Sequence, residues 1–195
     1  RPRHRGYAGH MISFVLASAS PSRLRILEHA GVDPLVRHPH VDEDLLQASL
    51  PPGTPHVRVV EELARAKARD VLEREGGSLA QEARAAGADT LIVVGCDSML
   101  LVDGHLEGKP HTYERAMERW KKMRGRHGVL LTGHALIVAV LTGVGPLVVT
   151  DTGSDTSDTT VHFGAPSDAD LDVYLRTGEP LECAGAFTIE SLGGW

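Results

Sequence analysis

The sequence predicts a mixed α/β fold, with a twisted central β-sheet, helices packed on it, and an antiparallel lobe that leaves a cleft. Three observations predict this class. Short apolar runs typical of buried strands, such as residues 91–94, alternate with segments of helical periodicity. The first apolar run passes through a small-residue loop directly into a helical pattern, an order typical of α/β proteins. The 195 residues, 42% of them hydrophobic, suffice for one sizeable core or for two small lobes that share a cleft.

Residues 13–30 predict the first strand, a tight loop and the first helix. The strand is the apolar run 14–17, and the helix begins where Ser20 suits the N-cap and Pro21 suits the first helical position. A helix start directs backbone N–H groups and the positive end of the helix dipole into the loop, and Arg23 adds a full charge. The loop is therefore a candidate phosphate site, although serine and proline also mark strand-to-helix turns that bind nothing.

Three consecutive carboxylates follow at residues 42–44. Such a run is typical of a solvated loop or of a helix start, where negative charge favours the positive end of the dipole. It is also a candidate ligand for a hard cation, because Mg²⁺ is usually held by one or two carboxylates together with substrate phosphates. The pattern of residues leaves both interpretations open.

A long helix is predicted over residues 57–75, after a break marked by prolines and Gly53. Its apolar row contains Lys67, at a position where such a helix normally buries a nonpolar side chain. The ammonium group either extends to solvent past the apolar surface or projects into a cleft to meet a phosphate. Residues 76–87 are small and polar, and we expect them to contain a loose connection.

The most informative single residue is Asp97, which follows the buried strand at 91–94 and precedes a second apolar segment. A carboxylate in such surroundings is costly to desolvate unless it is paired, hydrogen-bonded or bound to a metal. It is therefore a candidate general base. The alternative is an aspartate that caps a turn between two strands.

The second half of the chain begins with a hairpin signal at Asp103-Gly104. Lys109 follows in a Gly-Lys-Pro loop, where it is either an ordinary surface lysine or a ligand for phosphate. Apolar residues of helical spacing then predict a helix through residues 113–123. Extended runs, which predict an antiparallel region beside the first sheet, occupy residues 135–142, 146–150 and 159–163, with an acidic, Thr-rich stretch at 151–158.

A last helix is predicted from a capping-box pattern of Ser167 and Asp170, and it ends before Gly178. Residues 1–10 are unlike the rest of the sequence. We interpret them as a tag or a disordered extension before Met11 and exclude them from the fold prediction.

Composition and charge exclude several classes of protein. The net charge of −6 gives no general attraction to DNA or RNA, so a polyanionic partner has to be bound by local Lys and Arg side chains. No apolar run approaches the roughly 20 residues of a membrane span, and no hydrophobic signal segment follows the basic start. These features predict a cytoplasmic protein. The two cysteines and eleven histidines lack the spacing of a disulfide framework or of a zinc site.

Four separate blocks of the sequence resemble the Maf family of nucleoside triphosphate pyrophosphatases. The blocks are LASASPSRL at residues 16–24, ELARAKA at 62–68, LEGKP at 106–110 and the pattern Y-x-x-x-G-E-P-x-x-x-A-G-x-F from Tyr174. The resemblance extends over nearly all of residues 11–195 and implies a single Maf-like domain. Family members usually continue with a further strand and helix, which we expect this chain to lack.

The resemblance implies two lobes around a cleft, similar to inosine triphosphate pyrophosphatase, and a homodimer. It also implies hydrolysis of a nucleoside triphosphate to the monophosphate and pyrophosphate. The side chains that it implies for phosphate binding are Ser18, Ser20, Arg23, Lys67 and Lys109. A divalent cation, Mg or Mn, is implied near Glu43 and Asp97, with Asp97 orienting or deprotonating the attacking water. Two positions depart from the family pattern: Ser22 replaces the first arginine of the opening signature, and Ser98 replaces a frequent threonine.

The last block bears on the preferred base. One branch of the family has Lys before the Ala-Gly pair and Gln a few residues later, whereas this chain has Cys183 and Glu190. Together with Val-His-Phe at 161–163, these residues resemble the branch associated with 7-methyl-GTP. A carboxylate suits a base that carries a delocalised positive charge. The resemblance therefore implies a base-specificity role for Cys183 and Glu190.

A second class of function would use the same positively charged side chains. The association of the family with septum formation implies an alternative, a nucleotide-binding regulator of cell division without significant turnover. Arg23, Lys67 and Lys109 serve both functions, because binding and hydrolysis need the same positive charges. Asp97 distinguishes them, since only hydrolysis needs a group that activates water. An enzyme of this kind is expected to clear modified nucleotides.

Overall fold

A computed structural model describes residues 11–143, 145–189 and 192–194. The predicted extension at residues 1–10 and the predicted specificity residue Glu190 lie outside the described residues. The chain divides into two compact units. The first unit comprises the described residues up to Leu50, Glu61–Cys96 and His134–Asp155, and the second comprises Pro51–Val60, Asp97–Gly133 and the described residues from Thr156 onward.

The described residues form strands and helices in alternation. The strands are β1 (Ile12–Ala17), β2 (Leu35–Arg37), β3 (Thr90–Val102), β4 (His105–Glu107), β5 (His127–Leu141) and β6 (Leu147–His162). The α-helices are α1 (Pro21–His29), α2 (Glu43–Ser49), α3 (His56–Ala85), α4 (Tyr113–Met123) and α5 (Asp168–Arg176). Short 3₁₀ turns at Glu179–Glu182, Ala184–Ala186 and Leu192–Gly194 follow α5.

The strands of the described chain form one six-stranded mixed sheet. Five of them follow the order β2-β1-β3-β5-β6, and the sixth strand, β4, pairs with β3. β1 has a parallel partner on each side, so that Val15 is opposite Leu35 of β2 and Val93 of β3. β4 is antiparallel to β3. The predicted mixed α/β class is confirmed. The later strands differ from the prediction, because β5 and β6 continue the first sheet instead of forming a region beside it.

The turn between β3 and β4 has the predicted form. Asp103 and Gly104 have φ angles of 51° and 79°, which are both left-handed. Two left-handed residues match the right-handed twist of the flanking strands, and Asp-Gly is a preferred pair for such a turn.

Helix α3 is longer than the sequence predicts. It continues through Gly76 and Gly77 to Ala85, where we expected a loose connection. Leu79 and Ala83 in this extension are fully buried in the core of the first unit. The burial of this apolar face outweighs the low helix propensity of the glycines, which is roughly 1 kcal/mol each relative to alanine.

β3 and α3 approach so closely at Gly95 that no side chain fits between them. A Cβ atom at this position would overlap the carbonyl oxygen of Ala64 and lie 2.8 Å from the amide nitrogen of Ala68. Both alanines belong to α3 and are fully buried. The first unit therefore contains a direct contact between the backbones of a strand and a helix.

The long strand β6 runs without a break through the acidic stretch that we expected to separate two runs. Most of its side chains are exposed, including Val148 and Val149. β6 stands at the end of the strand order. Threonine and aspartate are tolerated there because their side chains face solvent, and charges on an edge strand discourage unwanted pairing.

The core of the second unit surrounds Trp120 on α4. Its ring makes edge-on contacts with Phe163, Tyr174 and Phe187, with centroid distances of 5.6, 6.1 and 6.0 Å. The indole N–H donates a 2.7 Å hydrogen bond to the carbonyl oxygen of Ala186, so the buried polar atom is satisfied. Within the described residues, no helix has the length and apolar character needed to cross a membrane.

Candidate functional site

The loop between β1 and α1 is held together by two serines and an arginine of the first unit. Ser20 is the N-cap of α1, as predicted, and its side chain accepts a hydrogen bond from the backbone N–H of Arg23. The Ser20 N–H donates to the Ser18 hydroxyl at 3.2 Å. Ser18 is buried, with 4% of its surface exposed. The loop is therefore ordered by its own hydroxyl groups at the start of a helix.

The guanidinium group of Arg23 folds back over this loop. Its Nη1 atom donates to the Ser18 hydroxyl at 3.1 Å and to the carbonyl oxygen of Cys96 at 2.9 Å. Cys96 belongs to β3, so Arg23 fastens the loop to the strand on which Asp97 is the next residue. The sequence-predicted grouping of Ser18, Ser20 and Arg23 is present in this unit.

The first unit also contains an ion pair between α2 and α3. The Nζ atom of Lys67 lies 2.7 Å from Oε1 of Glu43. The Lys67 side chain is only 9% exposed, whereas that of Glu43 is 48% exposed. Of the two interpretations of Lys67, extension to solvent is therefore wrong. The ammonium remains within the apolar row and faces a carboxylate.

The run of carboxylates at 42–44 forms a helix start. Asp42 is the N-cap of α2 and accepts a 2.9 Å hydrogen bond from the backbone N–H of Leu45, and Glu43 and Asp44 lie in the first turn. The structural interpretation of this run is correct. It does not conflict with a ligand role for Glu43, because the carboxylate is 48% exposed and remains accessible to a metal ion.

Asp97 lies within the uninterrupted strand β3 and is 5% exposed. It does not cap a turn, so that alternative is wrong. The next residue, Ser98, shares a 3.1 Å hydrogen bond between its hydroxyl and that of Thr132 on β5, which ties the two strands together beside the aspartate. A nearly buried carboxylate on a fixed strand is costly to keep charged without a function or a compensating group.

Lys109 lies in the second unit, in the loop between β4 and α4. Its Nζ atom is 3.6 Å from a carboxylate oxygen of Glu182, and the other oxygen lies 3.1 Å from Nδ1 of His111. The side chains of Lys109 and Glu182 are 49% and 65% exposed, so this pair contributes little to stability. The positively charged side chain of Lys109 is therefore exposed to solvent, and Glu182 contacts both Lys109 and His111 of this loop.

The pKa of the Glu182 carboxyl lies below its ordinary value. Partial burial acts to raise this pKa, but the hydrogen bond with His111 and the electrostatic interactions with His111 and Lys109 more than offset it. The sequence analysis missed Glu182 and His111. Their proximity to Lys109 depends on a contact between distant segments, and no local motif indicates it.

Cys183 separates the first two 3₁₀ turns after α5, and its thiol donates to the carbonyl oxygen of Glu179 at 3.5 Å. Nearby, Gly185 is left-handed, with φ of 68°, and a Cβ there would be 2.8 Å from Cβ of Leu100. The backbone of this segment is thus pressed against β3 within the second unit. The specificity role of Cys183 stays a prediction.

The described residues provide no ready-made metal centre, since no group of three or more His, Cys, Asp or Glu side chains among them is arranged to hold an ion. Mg²⁺ or Mn²⁺ does not require such a group, because in nucleotide sites these ions are usually held by one or two protein carboxylates together with substrate phosphates and water.

The chain was also compared with known proteins. Residues 13–195 match the family described as Maf-like protein. A protein of Rhodococcus opacus (strain B4) named nucleoside triphosphate pyrophosphatase is 54% identical over 185 residues, which is 95% of this chain and 80% of that protein. A protein of the same name from Nocardia farcinica (strain IFM 10152) is 51% identical, over 94% of this chain and 80% of that protein. One from Corynebacterium efficiens is 45% identical, over 94% and 81% respectively.

Proposed function

Because this chain belongs to the Maf-like protein family, we propose that it is a nucleoside triphosphate pyrophosphatase. Relatives that bear this name are about half identical over nearly the whole chain. The geometric observation that carries the proposal is Lys67, a buried ammonium paired with Glu43 in a row where α3 otherwise buries apolar side chains. Burying a charge costs free energy, so a buried charge often marks a functional site. A positive charge suits a site for an anionic substrate.

In the proposed reaction, the oxygen of a water molecule attacks the α-phosphorus of the triphosphate. The bond from this phosphorus to the oxygen that bridges to the β-phosphorus breaks, so pyrophosphate leaves and the nucleoside monophosphate remains. The proton released by the water passes to the Asp97 carboxylate and then to solvent. Asp97 suits this function because a carboxylate on a rigid strand holds a fixed position.

The phosphates are bound in this proposal by the hydroxyl groups of Ser18 and Ser20 and by the charges of Arg23, Lys67 and Lys109. Arg23 and Lys67 already contact oxygen atoms in the first unit, namely the Cys96 carbonyl and the Glu43 carboxylate. Phosphate oxygens would replace or join these acceptors. In this proposal, these hydroxyl groups and positive charges stabilise the charge that develops on the departing pyrophosphate.

The carboxylates of Glu43 and Asp97 would hold a divalent cation, Mg or Mn, together with phosphate oxygens. When bound, such an ion neutralises charge on the phosphates and makes the phosphorus easier to attack. A carboxylate that binds a metal tightly is a weak base. Asp97 therefore acts as proton acceptor more readily if it contacts the ion through water, with Glu43 as the direct ligand.

The base is the finer part of the proposal. Cys183 and Glu190 are proposed to favour a modified base such as that of 7-methyl-GTP, since a carboxylate suits its positive charge. The homodimer stays a prediction from the family resemblance, and the cytoplasmic location stays a prediction from the sequence. Sedimentation of the purified protein measures the first of these.

The test is pyrophosphate release with Mg²⁺ or Mn²⁺ over UTP, dTTP, CTP, GTP and 7-methyl-GTP. We expect turnover of at least one triphosphate and its loss when the metal is chelated. Binding of triphosphate without turnover would instead favour the nucleotide-binding regulator of cell division. Turnover of 7-methyl-GTP no better than that of UTP or dTTP would refute the role of Glu190 and leave the general reaction intact.

A further inference from the structure

Arg119 on α4 contacts the two residues that precede Lys109 in the chain. Its Nε atom lies 2.7 Å from a carboxylate oxygen of Glu107. Its Nη1 atom donates a 2.7 Å hydrogen bond to the carbonyl oxygen of Gly108. One guanidinium group thus binds both a side chain and the backbone directly before Lys109.

The carbonyl oxygen of Gly108 accepts two hydrogen bonds within the second unit. Besides the bond from Arg119, it accepts a 3.1 Å hydrogen bond from the backbone N–H of Gly185. On the other side of Lys109, the N–H of His111 donates to the carbonyl oxygen of Leu181 at 3.0 Å. Lys109 is therefore flanked by fixed peptide groups, although its own side chain is half exposed.

The Arg119 side chain is only 18% exposed. Burial lowers its pKa, and the nearby Glu107 carboxylate acts in the opposite direction. A guanidinium group remains charged under these conditions, and its planar fork satisfies two acceptors at once. A lysine at this position has a single nitrogen and cannot keep both contacts in the same geometry.

We propose that Arg119 is a positioning residue for Lys109: by fixing Glu107 and Gly108, it sets the point from which the Lys109 ammonium reaches the triphosphate. This inference rests on the proposed function, because it needs Lys109 to bind phosphate. A long lysine side chain searches many conformations, so the placement of its backbone decides which part of the substrate it can reach. A small misplacement of a binding group can lower kcat/KM strongly.

The first part of the test uses Arg119→Met and Arg119→Lys, with Lys121→Met as the matched control. Lys121 lies on the same helix with an exposed side chain, so the control removes one positive charge from α4 without touching the loop. We expect Arg119→Met to lower kcat/KM for the triphosphate about tenfold, mainly through KM. Arg119→Lys should recover part of this loss, and Lys121→Met should match the wild type.

The second part is a double-mutant cycle with Lys109→Ala. If Arg119 acts through Lys109, Arg119→Met costs little further activity once Lys109 is absent, within about twofold. An equal loss in both backgrounds would overturn the inference, because it would show an effect on folding or on another part of the site. The smaller change Arg119→Lys keeps the cycle interpretable if the methionine variant folds poorly.

The third part does not depend on turnover. Hydrogen–deuterium exchange of the segment 106–112 should be faster in Arg119→Met than in the wild type, and unchanged in Lys121→Met. Equal exchange in all three proteins would overturn the inference even if the enzyme is active. A wild-type protein that exchanges as expected but hydrolyses no triphosphate would refute the proposed function instead.

Discussion

Lys67 and Glu43 form a 2.7 Å ion pair in which the ammonium is nearly buried and the carboxylate is half exposed. Because the two side chains differ in exposure, removing Lys67 should affect the stability of the fold and the binding of substrate differently. If the lysine is removed, the carboxylate that remains is still in contact with water. The usual penalty for leaving one charge buried and alone therefore does not apply in full.

We predict that Lys67→Met lowers affinity for the triphosphate without destabilising the fold. Methionine fits the apolar row of α3, so the melting temperature should be unchanged or higher, whereas loss of a charge-assisted contact to phosphate should raise KM roughly 10- to 100-fold. Thermal unfolding and pyrophosphate release measure the two effects. Lys121→Met is the control on an exposed helix surface. A variant that melts early but retains its KM would indicate a purely structural lysine.

Asp97→Asn should remove turnover while nucleotide binding persists. The amide has nearly the same shape as the carboxylate but is a poor proton acceptor, so kcat should fall by about 10²-fold or more. Calorimetry with a triphosphate should show affinity within a few-fold of the wild type. The matched control is Asp103→Asn in the hairpin turn, where the aspartate pairs with Arg126 and has no proposed part in the reaction. Undiminished pyrophosphate release from Asp97→Asn would exclude it as the proton acceptor.

Arg23→Lys should weaken phosphate binding although it conserves the charge. The single ammonium cannot reproduce the contacts that one guanidinium makes with the Ser18 hydroxyl and the Cys96 carbonyl, so we expect KM to rise about tenfold. Arg25→Lys on the exposed face of the same helix is the control. KM is measured by initial rates at fixed metal concentration. Equal KM values for both variants would mean that the loop needs charge alone.

The pH dependence of stability should include a contribution from Tyr174. Burial raises the pKa of its phenol to about 12, compared with about 10 for tyrosine in an unfolded chain. Because the raised pKa belongs to the folded state, this contribution is complete below pH ~10 and is lost as pH rises toward 12. Tyr174→Phe should therefore lose less stability than the wild type over this range. Denaturation at a series of alkaline pH values, with tyrosinate absorbance, tests this, and ionisation of Tyr174 near pH 10 in the folded protein would contradict it.

Gly95→Ala should destabilise the protein strongly. The new methyl group would overlap the backbone of α3 at Ala64 and Ala68, and neither strand nor helix can retreat without disturbing the core. We expect a loss of about 3 kcal/mol or more in the free energy of unfolding. Gly153→Ala on β6 is the control, because no atom lies within 4 Å of a Cβ there. Urea denaturation of both variants gives the comparison.

Local signals predicted the parts of the fold that depend on a few neighbouring residues. Ser20 caps α1, Asp103 and Gly104 form the hairpin turn, and Ser167 with Asp170 forms the capping box of α5. Each of these depends on the hydrogen bonds or backbone angles of adjacent residues, so the sequence contains the necessary information.

Other features depend on contacts between distant segments, and the sequence alone did not indicate them. α3 continues through Gly76 because the residues beyond it are buried in the core, and β6 crosses its acidic stretch because it pairs within the sheet. The contacts of Arg119 and Glu182 with the Lys109 loop have no motif of their own. The residue pattern made Arg23, Lys67 and Asp97 candidates, and the family resemblance favoured the functional interpretation of each; the experiments above test their roles.

The contact between the backbones of α3 and β3 has a consequence for where the Lys67 side chain begins. Lys67 lies between Ala64 and Ala68 along the helix, and these are the residues that touch Gly95. No layer of side chains separates the two elements at this point, so a rotamer change cannot alter the distance between them. The distance between the Lys67 backbone and the sheet is therefore set by the main chain, and this distance fixes the point from which the lysine side chain extends.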